Sequence, residues 1–128
     1  MNKFAIVTLT AFAMLPACRQ AEARGANGHK LTLTAPASQT LRQGEANDVA
    51  VKIDRDGFDG PVKIEFSQLP NGVTVANPSP IPTDDELKNY TLAVAATATP
   101  TEHHRIVVTA SSGDLKVQET FEVAVKAR

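Results

Sequence analysis

Residues 54–62 (DRDGFDGPV) hold the side chains of this sequence most suited to binding a cation. Asp54, Asp56 and Asp59 lie close together, and Gly57 and Gly60 lie among them. Carboxylate oxygens are preferred Ca²⁺ ligands, and clustered carboxylates repel one another until a divalent cation neutralises them. Glycine-rich acidic stretches are equally typical of tight turns between strands. We predict a solvated turn and no metal, with a weak calcium site at Asp54, Asp56 and Asp59 as the alternative.

An EF-hand is excluded by the spacing. Its loop needs oxygen ligands at positions 1, 3 and 5, glycine at position 6 and a bidentate Glu at position 12. Asp54, Asp56 and Glu65 suit positions 1, 3 and 12, but Phe58 and Asp59 occupy positions 5 and 6. Glu65 also falls within a predicted strand, pointing away from the core.

Other chemistry has little support in the sequence. His103 and His104 are adjacent, so on a strand they would point to opposite faces, and we predict two solvated turn histidines with no metal. No serine lies in a G-x-S-x-G context, and no glycine-rich phosphate loop opens a helix. We predict no catalytic residues, no enzyme activity and no cofactor.

Charge and composition exclude further classes. The 128 residues carry 13 Lys and Arg against 14 Asp and Glu, giving a formal net charge of −1. A nucleic acid partner is not expected, because no basic face is available to bind a phosphate backbone. The chain has one cysteine, Cys18, so it cannot form an intrachain disulfide.

The N-terminus is typical of a targeting segment. Met1-Asn2-Lys3 is followed by an uncharged, mostly apolar run over residues 4–15, which is shorter than the roughly 20 residues of a membrane-spanning helix. We predict a signal peptide over residues 1–17.

The end of that run, Leu15-Pro16-Ala17-Cys18, resembles a bacterial lipobox. The resemblance implies that the Cys18 thiol receives a diacylglycerol and that the chain is cut before it. Arg19 follows the cysteine, which in this family favours the outer membrane. The alternative is a secretory signal cut after Ala17 or Ala23. Residues 18–29 are polar, small and glycine-containing, and are predicted as a flexible tether.

From residue 30 to 128 the apolar residues recur with a period of two. Six alternating runs are separated by Gly, Pro, Asn and Asp clusters, and β-branched residues dominate them. The runs are centred on Leu33, Val51, Ile64, Leu92, Val108 and Val123. The pattern predicts an all-β domain, a β-sandwich of about seven antiparallel strands.

Two turn motifs carry a family resemblance. Arg55-x-Gly57-Phe58-x-Gly60-Pro61-Val62 and Leu69-Pro70-x-Gly72-Val73, with a closing Phe121-x-Val123-x-Val125, resemble bacterial immunoglobulin-like modules of surface and secreted proteins. The resemblance implies an immunoglobulin-like fold and a non-catalytic role. It names no ligand.

We therefore expect a lipid-anchored immunoglobulin-like module in the bacterial cell envelope, bound to the membrane by its N-terminal lipid. It would act by contacting an envelope or surface protein through an edge strand or a loop end. The alternative is an accessory module that binds calcium or carbohydrate. A sugar-stacking surface has weak support, because Phe66, Tyr90 and Phe121 have the parity of core residues.

Overall fold

A computed structural model describes residues 20–128, which form nine β-strands and one short 3₁₀ turn, Ala26–Gly28. The predicted signal segment and Cys18 lie outside the described residues. Within residues 20–128 no helix is long and apolar enough to cross a membrane. The strands are β1 (Gln20–Arg24), β2 (Lys30–Thr34), β3 (Gln39–Arg42), β4 (Ala46–Asp56), β5 (Lys63–Ser67), β6 (Val73–Val75), β7 (Leu87–Val94), β8 (Thr101–Ser112) and β9 (Leu115–Lys126).

The strands form two sheets that face each other. One sheet has the order β1-β2-β4-β7-β6 and the other has the order β3-β9-β8-β5. Immunoglobulin domains pair strands A, B, E and D in one sheet and C, F and G in the other. Here β2, β4, β7 and β6 take the first set of places, and β5, β8 and β9 take the second. The predicted all-β, immunoglobulin-like sandwich is confirmed.

Two details differ from the expected seven or so antiparallel strands. Strand β3 pairs with β9 in parallel, and the described chain contains β1 in addition to the A-to-G set. β3 and β6 are short, and each buries one side chain, Leu41 and Val73, so their alternation is too brief to detect in the sequence.

The prediction of a flexible tether is wrong for residues 20–29. Gln20–Arg24 pairs antiparallel with β2 over five residues, and the 3₁₀ turn closes the hairpin. Ala21 and Ala23 are half-buried against the core, whereas Glu22 and Arg24 face water. The period of two is present here, but alanine gives it a weak hydrophobic signal.

The core is mainly aliphatic and comes from the inward faces of both sheets. Fully buried members include Leu31, Leu33, Val49, Val51, Ile53, Leu92, Ile106, Val108 and Val125. Burial of each such side chain contributes about 1.5–3 kcal/mol to folding. Phe66 packs edge-on against Tyr90 and Phe121, with ring centroids 5.3 and 6.5 Å apart.

Candidate functional site: the open side of the sandwich

The three candidate calcium ligands do not converge. Asp54 and Asp56 lie on β4 and Asp59 lies in the following loop, and all three are exposed. Asp56 Oδ2 lies 3.9 Å from Lys30 Nζ. Among residues 20–128 no group of three or more His, Cys, Asp or Glu side chains is placed to hold a metal ion.

The same stretch instead holds a structural clamp made by Arg55. Its guanidinium donates hydrogen bonds to the carbonyl oxygens of Gly60 (2.8 Å), Pro82 (2.8 Å) and Asp85 (2.6 Å). The side chain therefore joins the β4–β5 loop to the segment that precedes β7. Arg55 satisfies backbone oxygens here and does not neutralise the neighbouring aspartates.

The rest of the motif forms the turn that the resemblance implied. Gly57 has a φ of +87°, which an L-amino acid rarely adopts. Phe58 packs against the edge of the core and contacts the His29 ring at 5.9 Å between centroids. Val62 is fully buried, and β5 begins at the next residue. The acidic turn interpretation fits the structure.

The two histidines lie in β8 and not in a turn, at a bulge between Thr101 and His104. His103 Nδ1 lies 3.4 Å from Glu122 Oε1, at the protein surface. His104 Nε2 lies 2.6 Å from the Gln68 carbonyl oxygen, to which it donates. The two rings have separate partners.

No exposed aromatic surface for sugar stacking is present in the described part of the chain. Leu87 is the one large hydrophobic side chain that is exposed there. The aromatic rings are buried or half-buried against the core.

The feature that remains is a groove on the open side of the sandwich. β5 ends one sheet and β6 ends the other, so the two edge strands face each other without pairing. The groove between them has a volume of about 470 Å³. It is lined by Ile64, Phe66, Leu69, Val75 and Pro78, together with Glu65, Ser67, Thr74 and Thr109.

The outer edge of β5 carries backbone groups that can accept a further strand. Val62 and Ile81 exchange both backbone hydrogen bonds, at 3.0 and 2.8 Å, in an antiparallel bridge. Successive residues of a strand direct their N–H and C=O groups to opposite sides. The backbone N–H and C=O groups of Ile64 and Phe66 therefore point to the side of Ile81, away from β8. Within residues 20–128 no backbone partner meets them there.

The segment that contains Ile81 cannot cover the rest of this edge because β7 holds it away. The Tyr90 hydroxyl donates to the Ser79 carbonyl oxygen at 2.6 Å, and the Thr91 N–H donates to Asn77 Oδ1 at 2.8 Å. A tyrosine phenol is protonated at neutral pH, and burial raises the pKa of Tyr90 further, to about 12, so this donor persists well into alkaline pH. The edge of β5 beyond Val62 thus stays open.

This groove is not apparent from the sequence. The sequence signal in this region is the alternation of Pro78, Pro80 and Pro82 around Ile81, since proline within sheets is confined to edge strands, strand starts and bulges. The pattern marks an irregular edge segment. It does not indicate where that segment lies relative to β5.

No protein-family model matches the chain, and no curated protein matches it. Titin domains are among the solved structures that resemble it. A chimeric titin Z1Z2 functionalised with an exogenous KLER peptide from decorin is 18% identical, with a TM-score of 0.47, over 88% of this chain and 99% of that one. The titin M3 domain is 16% identical, with a TM-score of 0.43, over 85% and 98% of the two chains. Titin Z1Z2 in complex with telethonin is 17% identical, with a TM-score of 0.42, over 91% and 75%. The assignment of the fold to the immunoglobulin-like class rests on the strand order described above.

Proposed function

We propose that this chain is a lipid-anchored, non-catalytic protein-binding module of the bacterial cell envelope, and that the groove between β5 and β6 is its contact surface. The immunoglobulin-like fold is consistent with a binding or structural module. No observation favours calcium or carbohydrate as the ligand over a protein.

The open edge of β5 is the observation that carries this proposal. Soluble sandwiches usually protect an exposed edge with proline, charge, a bulge or a covering segment. Here the Ile81 bridge covers Val62, and β5 carries the exposed charges of Lys63 and Glu65. The backbone edge at Ile64 and Phe66, however, has no covering strand from residues 20–128 and lies next to apolar side chains. Exposed backbone groups beside an apolar groove are typical of a site that binds another chain.

The lipid anchor is proposed from Leu15-Pro16-Ala17-Cys18, which resembles a lipobox. Gln20, the first described residue of β1, lies two positions after Cys18 in the sequence. At no more than 3.6 Å per residue, Gln20 lies within about 7 Å of an acylated Cys18. The domain would then stay close to the bilayer, and its partner would be a membrane-proximal protein, in the outer membrane according to the residue after the cysteine.

Site-specific photo-crosslinking tests the contact surface. A photoreactive amino acid at Thr74, which is exposed in the groove, should crosslink one defined envelope protein in cells. The matched control is Thr40, an exposed threonine on the opposite edge strand β3. Equal labelling from both positions, or none from position 74, would contradict a groove-specific contact.

Metabolic labelling with palmitate tests the anchor separately. The wild-type protein should incorporate the label and Cys18→Ser should not. A wild-type protein without label, in cells where a known lipoprotein is labelled, would remove the anchor from the proposal and leave the groove untouched.

A further inference from the structure

We infer that the edge of β5 binds an extended peptide segment as an added strand, antiparallel to β5 and opposite Ile64 and Phe66. This inference rests on the proposed function, since it specifies how a protein partner would occupy the groove. The occupant is a stretch of polypeptide with large apolar side chains at alternate positions.

The backbone determines the phase of the added strand. Val62 already forms a two-bond antiparallel pair with Ile81 on this edge. Ile64 and Phe66 have the same parity as Val62, so each offers one N–H donor and one C=O acceptor to a neighbour on that side. A strand placed there would continue the ladder that the Val62–Ile81 bridge starts.

The bridge also indicates the direction of the added strand. The segment around Ile81 runs antiparallel to β5 at its bridge with Val62. An added strand that is also antiparallel would continue the same hydrogen-bond pattern along β5. The protein's own segment cannot do this, since Tyr90 and Thr91 hold Ser79 and Asn77 on the side of β7. The place opposite Ile64 and Phe66 therefore stays available to another chain.

The groove determines which side chains the occupant needs. Directly opposite residues of an antiparallel pair place their side chains on the same face. The two partner residues opposite Ile64 and Phe66 would therefore point to the inner side, towards Val75 and Pro78. The partner residue between them would lie beside Glu65, on the face exposed to water. The matching segment reads apolar–polar–apolar.

Selection from a random peptide library displayed on phage provides the probe. The full-length protein, purified in detergent, serves as the bait. Enriched peptides should carry large apolar residues two positions apart, and Thr74→Arg should weaken their binding by about tenfold or more because it places a long charged side chain at the edge of the groove. Thr40→Arg, the same change on β3, should leave the binding unchanged.

Backbone N-methylation of an enriched peptide separates strand addition from side-chain docking. Only every second N–H of an added strand faces β5, so methylation should abolish binding at alternate residues and be tolerated at the residues between them. The added strand should slow hydrogen exchange of the Ile64 and Phe66 amides. The Glu65 amide points to β8 and should not change. A spin label on the peptide N-terminus should broaden Ser67 more than Lys63, because the strands are antiparallel.

The outcomes distinguish this inference from the proposed function. Tolerance of N-methylation at every residue, or stronger broadening at Lys63, would overturn the strand geometry or its direction. A library that yields no peptide sensitive to Thr74→Arg would overturn the inference as a whole. In either case the crosslinking from position 74 would still decide whether the groove contacts a protein.

Discussion

Arg55 shows at the scale of one residue how a charge in an acidic stretch can serve the fold. A planar guanidinium can donate in several directions at once, and Arg55 uses this geometry to reach the carbonyl oxygens of Gly60, Pro82 and Asp85. A lysine ammonium is a compact donor on a flexible stem, so it cannot bridge these oxygens together.

We expect Arg55→Lys to lower the free energy of unfolding by about 1–3 kcal/mol, because charge-assisted hydrogen bonds to three backbone carbonyls are lost. Urea denaturation measures the change. Arg42→Lys is the matched control, since Arg42 is exposed on β3, and its effect should stay within about 0.5 kcal/mol. Equal effects of the two substitutions would refute the clamp.

Gly72 shows why the second turn motif needs its glycine. The residue has a φ of +89°, and a Cβ built there would lie 2.7 Å from both Cα and Cβ of Ala98. We expect Gly72→Ala to destabilise the protein by about 2–4 kcal/mol, through backbone strain and the displacement of the loop before β8. Thermal or urea unfolding measures this.

Gly60→Ala is the control for that substitution. No atom lies within 4 Å of a Cβ at Gly60, and its φ is not in the positive range. Its effect should be small and of either sign, because alanine also restricts the unfolded chain. A destabilisation as large as that of Gly72→Ala would contradict a specific role for the positive φ of Gly72 and for the contact with Ala98.

At the scale of elements, the sequence predicts the strands that alternate long enough. The six predicted runs fall on β2, β4, β5, β7, β8 and β9, and the inward positions of these strands are mainly large aliphatic or aromatic residues. β1 could not be distinguished from a tether, because two alanines carry its inward face. Its strand conformation depends on pairing with β2 and on packing next to β9, which are tertiary contacts.

β1 itself can be tested with one substitution made at two places. Ala23→Asp puts a carboxylate on the half-buried face of β1 and should lower the free energy of unfolding by about 1–2 kcal/mol. Ala26→Asp, at an exposed position of the adjoining turn, should have little effect. If residues 20–29 behaved as a flexible tether, urea denaturation would give the same stability for both variants.

For the whole molecule, the fold was predictable and the candidate site was not. Fold class follows from strand periodicity and turn chemistry, which are local properties of the chain. The groove arises from the absence of a partner strand between β5 and β6, which depends on how far the segment around Pro78 reaches. The aspartates attracted a metal interpretation because their spacing is short in sequence, but β4 carries two of them on its exposed face and the third lies in a loop.

The buried phenol of Tyr90 makes the stability of the whole domain depend on pH at high pH. The phenol is fully buried, and burial raises its pKa to about 12, from about 10 in an unfolded chain. Between these values the unfolded chain binds fewer protons than the native protein, so stability falls as the pH rises through this window. The loss should reach about 2–3 kcal/mol, since each unit of pKa difference corresponds to about 1.4 kcal/mol.

The phenolate absorbance near 295 nm reports this titration directly, because the chain has one tyrosine. The native protein should titrate near pH 12 and the urea-unfolded protein near pH 10. Tyr90→Phe is the control: it removes the hydrogen bond to Ser79 at every pH, so its stability should fall less steeply between pH 10 and 12 than that of the wild type. A native midpoint near 10, with parallel stability curves for the two proteins, would mean that the phenol is accessible to water and that the segment around Ser79 opens readily. The segment around Ser79 would then not be held firmly away from β5, and the edge of β5 would not stay free for another chain.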